Sequence, residues 1–214
     1  RYIRGRADLS DRPCPRGVNL VSQSNRIPGG RCVDYGSEIN FRFNGRSLKG
    51  YKGDTLASAL LANEIKIVGR SFKYGRPRGV MSAGSEEPNA ILQLGANPAS
   101  QVPNVRATQQ QIFNGLTSRT TNGWPSVDFD VMSLIGLVAG KLMPPGFYYK
   151  TLMFPQFLWH TYERIVRRGA GIGIAPTEPD PDRYDKINRH CDLLIIGAGP
   201  AGLAAALIAS RTSA

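Results

Sequence analysis

The spacing of apolar residues changes period twice within the first third of the chain. Ile39, Phe41 and Phe43 alternate with Asn40 and Arg42, the period of a strand with one buried face. Asn44-Gly45 follows, a pair that tolerates positive φ at both positions and suits a type I′ hairpin turn. Residues Ser47 to Tyr51 supply the returning strand. After Gly53-Asp54-Thr55 the period becomes helical: Leu56, Ala57, Leu60 and Leu61 recur on one face, with Asp54 placed to be the N-cap. Ala90 to Leu94 predicts another apolar strand, and Val105 to Ile112, Gln-rich in its middle, a last one. A hairpin, a helix and further strands is the order of a β-grasp fold, so residues 37–116 are read as one α+β unit.

The flanks are different. Residues 1–36 hold Pro13, Pro15, Pro28, Gly29 and Gly30 with little periodicity, and predict an arm or a surface-hugging segment. Residues 117–190 are a connecting segment. Its aromatics (Phe147, Tyr148, Tyr149, Phe154, Phe157, Trp159 and Tyr162) are expected to pack a core or a subunit surface. Pro176 to Asp185, rich in Pro and acid, reads as a linker to a new domain.

That domain, residues 191–214, opens with Cys191 to Ile196, a short apolar run of buried-strand type. Gly197-Ala198-Gly199-Pro200-Ala201-Gly202 comes next, and then Leu203 to Ala209 at helical composition. Strand, G-x-G-x-x-G and helix together predict the start of a Rossmann-type dinucleotide domain, with these six residues as the cofactor-binding turn. Gly197 is expected to allow the tight turn, Gly199 to let a pyrophosphate approach the backbone, and Gly202 to let helix and strand pack closely. The helix N-terminus offers unpaired N–H groups and a positive dipole end to phosphates. The acidic residue that binds the ribose is expected about 20 residues further on, past the last residue, Ala214, so the nucleotide domain is expected to be cut short.

Composition narrows the alternatives. Of 214 residues 41% are hydrophobic, as in a globular protein. No apolar run reaches the roughly 18 residues of a membrane span; the nearest, Val131 to Met143, is interrupted by Lys141. No secretory leader is legible in the Arg-rich first residues. Cys14, Cys32 and Cys191 form neither a disulfide framework nor a zinc set, which favours a reducing cytoplasm. The net charge of +11 raises nucleic-acid binding. However, residues 1–78 hold 16 Lys and Arg against 6 Asp and Glu, and the remainder is almost neutral. An excess confined to one end suits docking better than nucleic-acid reading, so no nucleic-acid partner and no membrane are expected.

Four stretches together resemble the alpha-subunit family of heterotetrameric sarcosine oxidases. They are Gly53 to Asn63, Val68 to Gly79, Gly84 to Ala90 and the Gly197 to Gly202 motif, with Arg70 to Gly79 the most specific. The likeness runs from about residue 26 to 210 and marks the chain as the N-terminal part of such a subunit. It implies a domain similar to a 2Fe-2S ferredoxin, then a nucleotide domain that holds NAD, with a folate-binding region further on. It also implies beta, gamma and delta subunits, FAD and covalent FMN in the whole enzyme, and tetrahydrofolate as acceptor. The implied reaction is oxidative demethylation of sarcosine to glycine with hydrogen peroxide, and no catalytic residue for it is assigned to this chain.

A plant-type cluster needs C-x4-C-x2-C and a further Cys, whereas Arg70 to Ala83 has no Cys and no His. No iron–sulfur cluster and no metal ligands are therefore expected. The same loop carries Arg70, Lys73, Arg76 and Arg78 among Phe72 and Tyr74. It reads either as a solvated basic loop, paired with nearby Glu86 and Glu87, or as a loop that faces an anion or a partner. Alternatives to the sarcosine oxidase reading are a related amine or opine oxidase alpha subunit, an electron-transfer protein of ferredoxin-reductase type, and a basic nucleic-acid-binding module.

Overall fold

The computed structural model describes residues 23–27, 32–131, 133, 146 and 154–211. Most of the expected arm, Cys14, nearly all of the 131–143 run and the aromatics 147–149 lie outside the described residues. The chain forms two compact units, parting between Asp180 and Pro181, inside the stretch expected to be a linker.

The first unit is built on a hairpin. Strand β1 (Asp34–Phe43) pairs antiparallel with β2 (Arg46–Lys52) through Phe43–Arg46 to Glu38–Tyr51, with an irregularity between Asp34 and Glu38. The turn has φ of 49° at Asn44 and 80° at Gly45, as a type I′ turn requires. Ile39, Phe41 and Phe43 all point inward. Helix α1 (Leu56–Ala62) then covers that face, burying Leu56, Ala57, Ala59, Leu60 and Ala62. Leu61, expected on the buried face, is instead 41% exposed.

Asp54 is not the N-cap. Thr55 holds that position, and its hydroxyl accepts the Ser58 N–H at 3.2 Å. The Asp54 carboxylate is committed elsewhere. It accepts from the Tyr51 N–H at 2.9 Å and the Ser58 hydroxyl at 2.9 Å, and it pairs with Arg26.

After α1 come the two-residue strands β3 (Gly69–Arg70) and β4 (Pro77–Arg78), a small antiparallel ladder that carries the basic loop between them. Strand β5 (Ile91–Leu94) pairs with β6 (Val102–Arg106). The last strand was expected at 105–112. The ladder begins earlier, and the chain turns at Ala107–Gln110, where Gln109 and Gln110 N–H groups return to the Arg106 carbonyl. The sheet is completed instead by β7 (Thr117–Arg119), which lies past residue 116. It runs parallel to β1 and antiparallel to β5. The order β2-β1-β7-β5-β6, with the first strand parallel to the last, is a β-grasp layout.

The segment after β7 is partly docked on this sheet. A 3₁₀ turn (Gln156–Leu158) leads into α2 (Trp159–Ala170), which buries none of its residues. Phe154 and Phe157 are 81% and 80% exposed, so these aromatics do not fill a core. Gly171, at φ 76°, ends α2, with the Ile172 N–H returning to the Arg167 carbonyl. Buried Gln93 on β5 then clamps the backbone of Ile174, accepting its N–H at 2.8 Å and donating to its carbonyl at 2.9 Å.

The second unit contains helix α3 (Pro200–Ala209). Residues 191–196, with a bend at Asp192, take part in no strand pairing among the described residues, so the expected strand is not formed. A strand exists only through a neighbour's hydrogen bonds, and no described residue offers them here.

Candidate functional site

Among the described residues, no paired strand precedes the glycine-rich turn. Gly197 sits at φ 106°, a conformation open to glycine and strained for side chains. Gly199 is the N-cap of α3, at φ −74° and ψ 175°, and a Cβ built there meets nothing within 4 Å. Its value is thus open space beside the backbone rather than an unusual φ. Pro200 occupies the first helical turn, where its missing N–H costs nothing. A Cβ on Gly202 would overlap the Gly197 carbonyl oxygen, 2.0 Å away. No side chain caps this helix end, so the first-turn N–H groups of Ala201 and Gly202 are left to a ligand or to water.

Each glycine therefore meets a different constraint: left-handed backbone at Gly197, open space at Gly199, close contact at Gly202. An anion placed before α3 would find N–H donors and the positive end of a peptide dipole array. The apolar flank is unburied in the same unit: Leu194 is 72% and Ile196 89% exposed.

The basic loop between β3 and β4 is more ordered than its composition suggests. Arg70 is a structural tie: its guanidinium donates to the carbonyls of Val127 at 2.7 Å, Gly75 at 3.0 Å and Asp128 at 2.9 Å. Asn122 holds the Arg70 backbone from both sides, accepting its N–H at 2.9 Å and donating to its carbonyl at 2.7 Å. Arg78 donates to the Asn89 side chain at 2.9 Å. Lys73 and Arg76 are left on the Tyr74 ring, 5.1 Å and 4.8 Å from its centroid.

The expected pairing of this loop with Glu86 and Glu87 is absent among the described ion pairs. Glu87 is buried and accepts four backbone N–H groups, from Met81, Ser82, Asn89 and Ala90, at 2.6–3.0 Å. Burial opposes its ionisation, but the four N–H donors outweigh it and hold its carboxyl below the ordinary value of 4.5. The sequence signal for this nest was only Gly84-Ser85-Glu86-Glu87-Pro88, which marks a turn and not a buried acid.

Sequence reasoning also missed Arg26. Its guanidinium meets Asp54 at 3.1 Å and 2.6 Å with both side chains buried, and lies 5.1 Å from the Tyr51 ring and 5.9 Å from the Tyr35 ring. Among the described residues no three of His, Cys, Asp and Glu gather as a metal site, and no helix is long and apolar enough to cross a membrane.

Residues 36–123 match the family described as a 2Fe-2S iron-sulfur cluster binding domain. This overturns the expectation of a chain without an iron–sulfur cofactor, since the matching family is described as cluster-binding and points to such a cofactor. The donors of the matched residues do not fit a thiolate-held cluster: residues 36–123 hold no Cys and no His, and Cys14, Cys32 and Cys191 all lie outside the match. Among curated proteins, the chain is 52% identical over 192 residues to "Sarcosine oxidase subunit alpha" of Rhizobium meliloti, covering 89% of this chain and 19% of that protein. It is 30% identical over 185 residues to the protein of the same name from Corynebacterium sp. strain U-96, and 32% over 182 residues to that of strain P-1. It spans 14% of each Corynebacterium protein. An L-proline dehydrogenase from P. horikoshii matches 39% of the chain and 15% of its own at 26% identity, with a TM-score of 0.30.

Proposed function

The chain is a homologue of the sarcosine oxidase alpha subunits, and on that premise we propose that it joins a ferredoxin-like sheet domain to the phosphate-holding turn of a dinucleotide domain. The observation that carries this reading is the 52% identity across nearly the whole chain. In this reading the parent enzyme demethylates sarcosine oxidatively to glycine, forms hydrogen peroxide, and passes the one-carbon unit to tetrahydrofolate when that acceptor is present. FAD and covalent FMN belong to the assembled enzyme, with beta, gamma and delta subunits as partners in the cytoplasm.

The nucleotide is NAD, held by Gly197, Ala198, Gly199, Pro200, Ala201 and Gly202. A bound dinucleotide would bring its pyrophosphate to the head of α3, where the open space at Gly199 and the free first-turn donors receive it. The role assigned to the chain's own residues is to bind and orient the nucleotide.

The test uses the full-length alpha subunit assembled with its partners. Gly199→Val places a branched side chain in the open space before α3. NAD affinity is expected to fall at least tenfold, about 1.4 kcal/mol, with the sheet domain's unfolding unchanged. Full NAD occupancy at unchanged affinity would make the turn a packing element only. Sarcosine-dependent peroxide formation by the wild-type assembly tests the reaction itself.

A further inference from the structure

The loop between β3 and β4 and the loop that follows β7 are bound into one rigid patch. Arg70 ties Gly75 of the first loop to Val127 and Asp128 of the second, and Asn122 ties the second back to Arg70. Within the first loop the Ser71 N–H bonds to the Arg76 carbonyl at 2.9 Å, and the Gly75 N–H to the Ser71 carbonyl at 2.9 Å. Ser71 Oγ also accepts the Arg76 N–H. Gly75, at φ 59°, packs so tightly on Ser133 that no Cβ would fit.

What this scaffold presents is unusual for a solvated surface. Phe72 and Tyr74 are 40% and 44% exposed on one loop; Trp124 and Phe129 are 65% and 68% exposed on the other. Lys73 and Arg76 stack on Tyr74, and neither takes part in an ion pair among the described residues. Three carboxylates of this unit are engaged elsewhere: Glu87 accepts from its backbone nest, Asp130 from the Trp124 N–H at 3.0 Å, and Asp128 lies 3.7 Å from Arg46. Exposed Trp, Tyr and Arg on a preformed surface is the composition of interface hot spots. Cations without an ion-pair partner among the described residues select an anionic partner face, and a hydrogen-bonded loop loses little entropy on docking.

We propose that these two loops form a docking surface for an acidic, aromatic-accepting face of a different polypeptide in the same enzyme. The identity of that polypeptide as another oxidase subunit rests on the function proposed above; the patch itself does not. Carboxylates of the partner pair with Lys73 and Arg76, while its apolar surface covers Tyr74, Trp124 and Phe129.

The experiment is zero-length carbodiimide coupling of the purified, assembled full-length enzyme, read by peptide mass spectrometry. The expected product joins the Lys73 amine to an Asp or Glu side chain of another subunit. Lys73→Glu with Arg76→Glu should weaken that subunit's binding at least tenfold, and reversing the coupled carboxylate to Lys should restore it. Lys73→Gln with Arg76→Gln, checked by thermal unfolding, gives the smaller loss expected if the reversal misfolds. Coupling of Lys73 only within its own chain overturns the proposal, as does coupling to a second copy of the chain. Equal acetylation of Lys73 in the free chain and in the assembly overturns it too. Retention of duplex DNA that the double reversal abolishes would overturn it in favour of nucleic acid. If the full-length chain purifies with no other polypeptide, the proposed function fails as well; if the assembly forms with Lys73 open, only the docking surface fails.

Discussion

At the scale of single residues, polar side chains that bond in two directions do much of the fixing. Asp54 accepts from the hairpin end and from α1, and pairs with Arg26, whose segment precedes the sheet. Removing its carboxylate leaves a guanidinium buried without a counter-charge. Asp54→Ala should cost about 3–5 kcal/mol, measured as a lowered denaturant midpoint. Arg26→Met with Asp54→Leu should cost less than Asp54→Ala alone, because no charge is then stranded. At the glycine turn the constraint is steric. Gly202→Ala forces the Gly197 carbonyl aside and should lower both NAD affinity and local order. Gly199→Val finds open space and should affect only the nucleotide. Comparing amide exchange at residues 203–209 in the two variants separates these effects.

The elements depend on such ties in turn. The turn from Met81 to Ala90, which leads into β5, is closed over the Glu87 carboxylate by four N–H donors. Because the folded-state carboxyl titrates below its ordinary 4.5, its contribution is fully present above that value and is lost as pH falls through the folded value. Glu87→Gln keeps one acceptor and turns an NH₂ toward backbone donors. It should destabilise the domain by about 1–3 kcal/mol at neutral pH and flatten the acid limb of stability against pH. An acid limb identical to wild type would mean that Glu87 does not titrate on unfolding. β5 itself carries a comparable anchor in Gln93. Gln93→Leu leaves the Ile174 N–H and carbonyl without partners, so segment 171–177 should lose exchange protection first, with a cost of about 1–3 kcal/mol. Unchanged protection at Ile174 would show that the clamp is not what holds this segment.

Across the whole molecule the two units differ in how far they bury their apolar side chains. Residues 34–119 close a sheet around one apolar cluster that includes Phe41, Leu60 and Leu92. Residues 181–211 expose most of their apolar side chains. The chain spans 19% of the Rhizobium relative it matches, and the activity proposed for the enzyme belongs to the assembled protein. Isolated residues 1–214 with added NAD should therefore show weaker nucleotide binding than the full-length subunit by at least tenfold, by calorimetry. Equal affinity would mean that the turn and α3 suffice by themselves.

What the sequence determined by itself is what depends on near neighbours along the chain. The alternation at 39–43, the Asn44-Gly45 turn and a helix after Thr55 are set by local sterics and period, and they appear as expected. The basic loop was visible as composition, although which of its cations stay free was not. Tertiary structure alone decided the rest. β7 is three residues, Thr-Ser-Arg, with no apolar signature; it is a strand because β1 and β5 present open hydrogen-bonding edges on either side of it. Residues 191–196 carry a strong strand pattern and form none, because no neighbouring edge is described beside them. Asp54 gave up the helix cap because Arg26, 28 residues earlier, offers a buried charge that Thr55 could not satisfy. Hydrogen bonds and charges between distant segments are chosen by what the fold brings together, and no local pattern records that choice.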